Sequence, residues 1–213
     1  MQSSLDLSAA QKALLSCGIL AVILGVGTDL LAGRMWKGYS FVSQSISELS
    51  AAGAPTRSLV LPLELAFNVL MIAFAIGIWR LAGESLLMRI VSGLIVGNAI
   101  ISFLVTLLLP MRFSSDAGFS ASTIHVIIMA IGVLFFLLAM GLAGAAYRDW
   151  FRYYSFGTLL AYLVLAIVRF LMPSPAGQGS PVATVGIQER TMVLGYLLWI
   201  VALAVHQFTR ASG

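Results

Sequence analysis

Residues 124–146 read IHVIIMAIGVLFFLLAMGLAGAA, and His125 is the only ionisable side chain among them. A helix built from this stretch is apolar on every face, so it has no side to turn toward water. A bilayer core asks for about 20 consecutive apolar residues in helical form, which this run supplies. Working outward from it, five further stretches have the same character: 14–32, 59–79, 87–109, 154–172 and 191–208. Each ends in charge or in loop-forming residues. Gly33 and Arg34 close the first, Arg80 the second, Pro110 to Arg112 the third, Tyr147 to Asp149 the fourth, and Pro173 with Pro175 the fifth. In hydrocarbon the backbone must satisfy its own hydrogen bonds, which continuous helices do segment by segment. The reading is an all-α polytopic membrane protein, a single domain over 1–213 with six transmembrane helices in one bundle. An even number of spans puts both termini on one side.

Composition agrees. The 213 residues are 60% hydrophobic and 9% charged, where soluble domains carry roughly 45–50% and 25%. Mean hydropathy is +1.01. With 12 Lys+Arg and 8 Asp+Glu there is too little charge to cover a water-exposed surface, which excludes a soluble enzyme. The net charge of +4 comes from basic residues scattered singly between apolar runs, so no nucleic-acid-binding stripe is formed. Cys17 is the only cysteine; an internal disulfide and every multi-cysteine metal pattern are excluded. The first 13 residues are polar and lack a basic leader start, so the run continuing to Leu31 is read as a retained anchor. Lys12, Arg80, Arg89, Arg148, Arg152 and Arg210 fall on the terminal side, several of them packed into the short turns 80–86 and 147–153. That density predicts cytoplasmic termini, and the protein is expected in the cell (cytoplasmic) membrane.

The polar residues are distributed unevenly. Long connections at 33–58, 111–123 and 173–190 all lie on the face opposite the termini. Asp29 ends the first span, Glu48 lies in the first loop, Glu64 enters the second span, Asp116 lies in the second loop, His125 opens the fourth span, Arg169 ends the fifth, and Glu189 with Arg190 precedes the sixth. An antiparallel bundle brings all of these to one end, where long loops on a rigid scaffold usually carry binding. Expected pairings are Arg169 with Glu64, Glu189 or Asp29, and Arg190 with Asp116. An arginine fork there is also suited to a phospholipid phosphate. In the first loop, Ser45 and Glu48 have capping-box spacing, and Gly53 with Pro55 stops the segment, predicting a short interfacial helix. Gly93 and Gly97, four apart, are expected to let helices approach closely; Asn98, mid-membrane, is expected to hydrogen-bond between helices. His206 lies at the terminal end and cannot join His125, so a multi-histidine metal or haem site does not form. No metal and no cofactor is expected.

With these residues in view the chain resembles the domain of unknown function 998 family of small prokaryotic membrane proteins. The resemblance rests on Ser45 to Leu49 with Gly53, Pro55 and Arg57, on the Leu109-Pro110 exit of the third span with Asp116 and His125, and on Gly186 through Glu189 and Arg190. Where relatives often carry a Phe-Pro-Asp-like element, this chain has Leu109 to Arg112, and its nearest acid is Asp116. The resemblance implies six spans and this choice of residues, but no reaction.

Four functions remain open at this point. The first is binding of a lipid or small amphiphile by Glu48, Glu64, Asp116, His125, Arg169, Glu189 and Arg190, with membrane lipids as the surrounding partner. The second is a lipid-modifying enzyme with His125 as base, oriented by Asp116 or Glu64. A proton-coupled carrier using Glu64 and Asp29 is the third. An accessory membrane subunit, in which Asp29, Ser45, Gly53, Pro55, Gly93, Gly97 and Asn98 are structural, is the fourth.

Overall fold

A computed structural model of the chain describes residues 7–114, 118–120, 123–171 and 184–212, with backbone alone at 113–114, 118–120, 168–171 and 211–212. Six long helices dominate it: α1 (Ala9–Met35), α2 (Arg57–Leu81), α3 (Leu86–Leu108), α4 (Thr123–Ala146), α5 (Trp150–Leu171) and α6 (Val185–Ser212). All six are long and apolar enough to cross a membrane. The protein is therefore an all-α, multi-pass integral membrane protein. Each helix packs on the next in the chain, and α6 contacts both α5 and α1, closing the ring.

The helix starts follow from local chemistry. Ser8 accepts from the Gln11 N–H while the Gln11 side chain accepts from the Ser8 N–H, a reciprocal cap that starts α1 ahead of its first long apolar run. Ser85 accepts from the Met88 N–H at the start of α3. Asp149 accepts from the Phe151 N–H at 3.0 Å and starts α5 directly after α4. One boundary departs from expectation. α6 begins at Val185, so Glu189 and Arg190 lie within its first turns rather than before it. Hydropathy alone stops at these charges; the helix runs through them because both have partners, described below.

The described loops carry two small elements. Ile46–Ser50 forms a 3-10 helix, the short interfacial helix expected there. Glu48 Oε1 accepts from the Ser45 N–H at 3.0 Å. Gly53, at φ +90°, turns the chain beyond the segment in a backbone region that residues with a side chain rarely adopt. The second loop holds a hairpin of β1 (Arg112–Ser114) and β2 (Gly118–Ser120), paired antiparallel with Phe113 opposite Phe119. This hairpin was not foreseen.

The interior is formed by side chains such as Leu15, Phe74, Ile95, Met140, Phe151 and Trp199, all essentially inaccessible. Large apolar residues on the outside, among them Ile23, Leu134, Leu160 and Leu198, face the lipid side of the ring. Lipid is as apolar as leucine, so close packing and interhelical hydrogen bonds hold the helices together. A Cβ at Gly97 would stand 2.7 Å from the Phe135 ring of α4, and one at Gly77 would stand 3.0 Å from Leu14 Cβ of α1. Gly93 meets nothing within 4 Å, so only the second member of the Gly93–Gly97 pair is a contact point. Trp199 Nε1 donates to Ser155 Oγ at 3.0 Å, Ser92 Oγ donates to the Ala75 carbonyl at 2.7 Å, and Asn98 hydrogen-bonds the Tyr196 hydroxyl. Asn98 thus makes the α3–α6 bond expected of it.

At the terminal end, His206 is buried and lies 2.7 Å from Asp149 through Nε2. Its ring stacks on Phe151 at 4.8 Å. Burial works against an ionised Asp149, but the hydrogen bonds from His206 and from the Phe151 N–H outweigh it and hold the carboxyl below its usual range. Gln207 donates to the Tyr147 hydroxyl at 2.6 Å, which ties the α4–α5 turn to α6 a second time.

Candidate functional site

The first loop is fastened over the other end of the ring by two neighbouring residues of α6. Arg190 Nε and Nη2 donate to the two oxygens of Asp29 on α1, at 3.0 and 2.8 Å. Nη2 also donates to the Tyr39 hydroxyl at 2.7 Å, and Nη1 reaches the carbonyls of Phe41 and Gln44 at 2.8 and 2.9 Å. The guanidinium lies 4.9 Å from the Phe41 ring centroid. Every donor direction of the planar fork is occupied by the chain itself. Glu189 accepts from the Ile46 N–H at 3.0 Å and from Ser47 Oγ at 3.1 Å, capping the 3-10 helix. The Ile187 N–H donates to the Val42 carbonyl, and the Ala52 N–H to the Met111 carbonyl, joining the first loop to α6 and to the second loop. Arg57 donates to the Ser50 and Thr106 carbonyls.

Beneath this roof lies a cavity of about 350 Å³. Its walls are largely apolar, with Val26, Leu63, Phe67, Val105, Met129 and Leu194 among them. Asp29, Glu189 and Arg190 reach it from α1 and α6, and a second set of polar groups gathers on α2, α3 and α4. Glu64 Oε1 accepts from Thr106 Oγ1 at 2.7 Å, and Ser102 hydrogen-bonds the same carboxyl. Ser102 and Thr106 stand four apart, one turn of α3, so both hydroxyls face α2. His125 is buried and lines the same cavity. Its Nδ1 donates to the Leu109 carbonyl at 2.6 Å, which assigns that nitrogen its proton. An inner chamber of about 260 Å³ adjoins the first and shares Phe67, Ser102, Met129, Glu189, Val193 and Leu197 with it.

The residues singled out from the sequence divide into groups. Glu64 and His125 line the cavity together with Asp29, Glu189 and Arg190. Arg190 pairs with Asp29. Glu48 turns to its own loop, accepting from Ser45 and from Gln44 Nε2 at 2.9 Å. Asp116 and the side chain of Arg169 lie outside the described residues. Four contributors were missed: Tyr39, Asn68, Ser102 and Thr106. A signal for three of them was present, since Glu64 with Asn68 and Ser102 with Thr106 are polar pairs at i, i+4 in otherwise apolar spans.

The fold and site define a class: a six-helix membrane protein whose looped end roofs an apolar cavity with a carboxyl–hydroxyl cluster in its wall. The chain belongs to the family described as "Protein of unknown function (DUF998)", whose model matches residues 19–206. No curated protein and no solved structure matches it.

Proposed function

We propose that this protein binds a lipid or small amphiphile in the roofed cavity, with the polar end of the ligand at Glu64, Ser102, Thr106 and His125. The observation that carries the reading is a cavity of about 350 Å³ that is apolar over most of its wall and carries Glu64, Ser102, Thr106 and His125 on α2, α3 and α4, apart from Asp29, Glu189 and Arg190 on α1 and α6. Such division is the usual character of a site for a molecule with an apolar body and few polar atoms. The donors of Arg190 are engaged by the chain itself, so the head is not a phosphate held by that arginine. The protein resides in a prokaryotic cytoplasmic membrane with its termini in the cytoplasm, a placement supported by the dense basic turns at 80–86 and 147–153.

The test is extraction of the full chain from its native membrane into lipid nanodiscs, followed by mass spectrometry of co-purifying molecules. Unmodified protein retains an amphiphile that Glu64→Gln and Thr106→Val variants lose, while their helix content is unchanged. Identical co-purifying species in all three would overturn the reading.

A further inference from the structure

Asn68 lies one turn beyond Glu64 on α2 and is 3% exposed. Its Nδ2 donates to the Glu64 backbone carbonyl at 2.8 Å. That bond dictates how the amide is turned, because the opposite orientation would set Oδ1 against a carbonyl oxygen, acceptor against acceptor. Oδ1 is therefore directed away from the helix backbone, and it has no hydrogen-bond partner among the described residues. A buried carbonyl without a donor is costly, and most so at membrane depth, where bulk water cannot reach it. Asn68 lines the inner chamber, whose other walls include Met71, Asn98, Phe136 and Tyr196. The Asn98 side chain is already bonded to Tyr196. Asn68 thus lines a space that is mainly apolar and shares wall residues with the outer cavity, and its buried Oδ1 is the group there left without a donor.

We propose that the inner chamber is a second subsite of the same ligand, in which Asn68 Oδ1 accepts a hydrogen bond from a hydroxyl, amine or amide N–H while the ligand's head donates to Glu64. The proposal rests on the amphiphile reading of the outer cavity. Both protein groups are acceptors, so the ligand is an apolar-bodied molecule with two donors. Glu64 and Asn68 stand four residues apart on α2, about 6 Å along the helix axis, and the probe donors are given that spacing.

Two matched probes test it on the full chain in nanodiscs: 4-(dodecylamino)butan-1-ol, whose nitrogen and hydroxyl have this spacing, and N-butyldodecylamine, which lacks the hydroxyl. Binding of each is read by equilibrium dialysis. The hydroxylated probe binds more tightly to unmodified protein by several-fold, on the order of tenfold. In Asn68→Leu the ratio between the probes falls to within twofold, and in Asn68→Asp, which keeps an acceptor, the preference persists. Equal affinities in unmodified protein, with both probes weakened by Glu64→Gln, would overturn the inner subsite alone and leave water as the partner of Asn68. Binding of neither probe would overturn the inner subsite and the amphiphile reading together. The ratio in unmodified protein decides the matter even where the leucine variant fails to insert.

Discussion

Arg190 shows how one side chain can organise a whole face. The carboxylate of Asp29, the hydroxyl of Tyr39 and two loop carbonyls converge on it, and the Arg190 and Asp29 side chains are only 11% and 16% exposed. Removing one member of such a pair leaves the other charge buried without compensation, a loss of about 3–5 kcal/mol. Arg190→Met is therefore expected to lower unfolding stability by about 3 kcal/mol in detergent titrations. Arg190→Lys recovers little of it, because an ammonium cannot reach both carboxylate oxygens and the loop carbonyls at once. Tyr39 offers an independent readout. Burial pushes its phenol up to about 12, against the hydrogen bond and charge of Arg190; Asp29 and Glu48 add to the rise. Its hydroxyl donates to the Ser45 carbonyl at 2.7 Å, a bond that ionisation abolishes. Because the folded value lies above the ordinary 10.0, the stabilising contribution is complete below pH 10 and is lost as pH rises toward 12. The difference in phenolate absorbance between unmodified protein and Tyr39→Phe should show a titration near 12; a midpoint near 10 would contradict the burial of this hydroxyl.

Helix contacts in this bundle are decided by where a side chain is missing. A Cβ at Gly186 would strike the Gln44 and Phe41 carbonyl oxygens, which are backbone atoms held by Arg190 and unable to swing aside. Gly186→Ala is expected to cost about 1–3 kcal/mol and to loosen the first loop, seen as faster amide exchange at 41–50. Gly97→Ala faces the Phe135 ring and costs a similar amount, whereas Gly93→Ala meets open space and gains up to about 1 kcal/mol of helix propensity. Thermal melts of the two variants would separate them; equal effects would contradict the α3–α4 contact. The spacing of small residues identified Gly93 and Gly97 as a pair, but spacing alone cannot tell which member faces a helix and which faces lipid. The start of α6 was missed for a related reason. Hydropathy treats Glu189 and Arg190 as the end of a span, and only their partners in the first loop and α1 make them helix interior.

Across the whole molecule, the six helices form a ring with a wired turn at one end and a roofed cavity at the other. With Cys17→Ser as background, single cysteines at Glu48 and Asp116 are expected to react with an impermeant maleimide from one side of the membrane. Cysteines at Glu84 and Arg148 react from the other. Labelling of positions 48 and 116 from opposite sides would dismantle the arrangement.

The number of spans, their helical form and the gathering of ionisable groups at the loop-bearing end were legible in the chain alone. They depend on runs of about 20 apolar residues and on antiparallel order, both local properties of the sequence. So was the Ser45–Glu48 cap, whose partners are three residues apart. What each polar residue does was decided only by tertiary structure. Arg190 meets Asp29 across the ring, Glu189 caps a helix far away in the chain, and Glu64 keeps to the cavity with Thr106. Spacing along a chain sets which residues share a helix face, but whether a charge is consumed by a neighbour or left facing a cavity depends on how the helices come together.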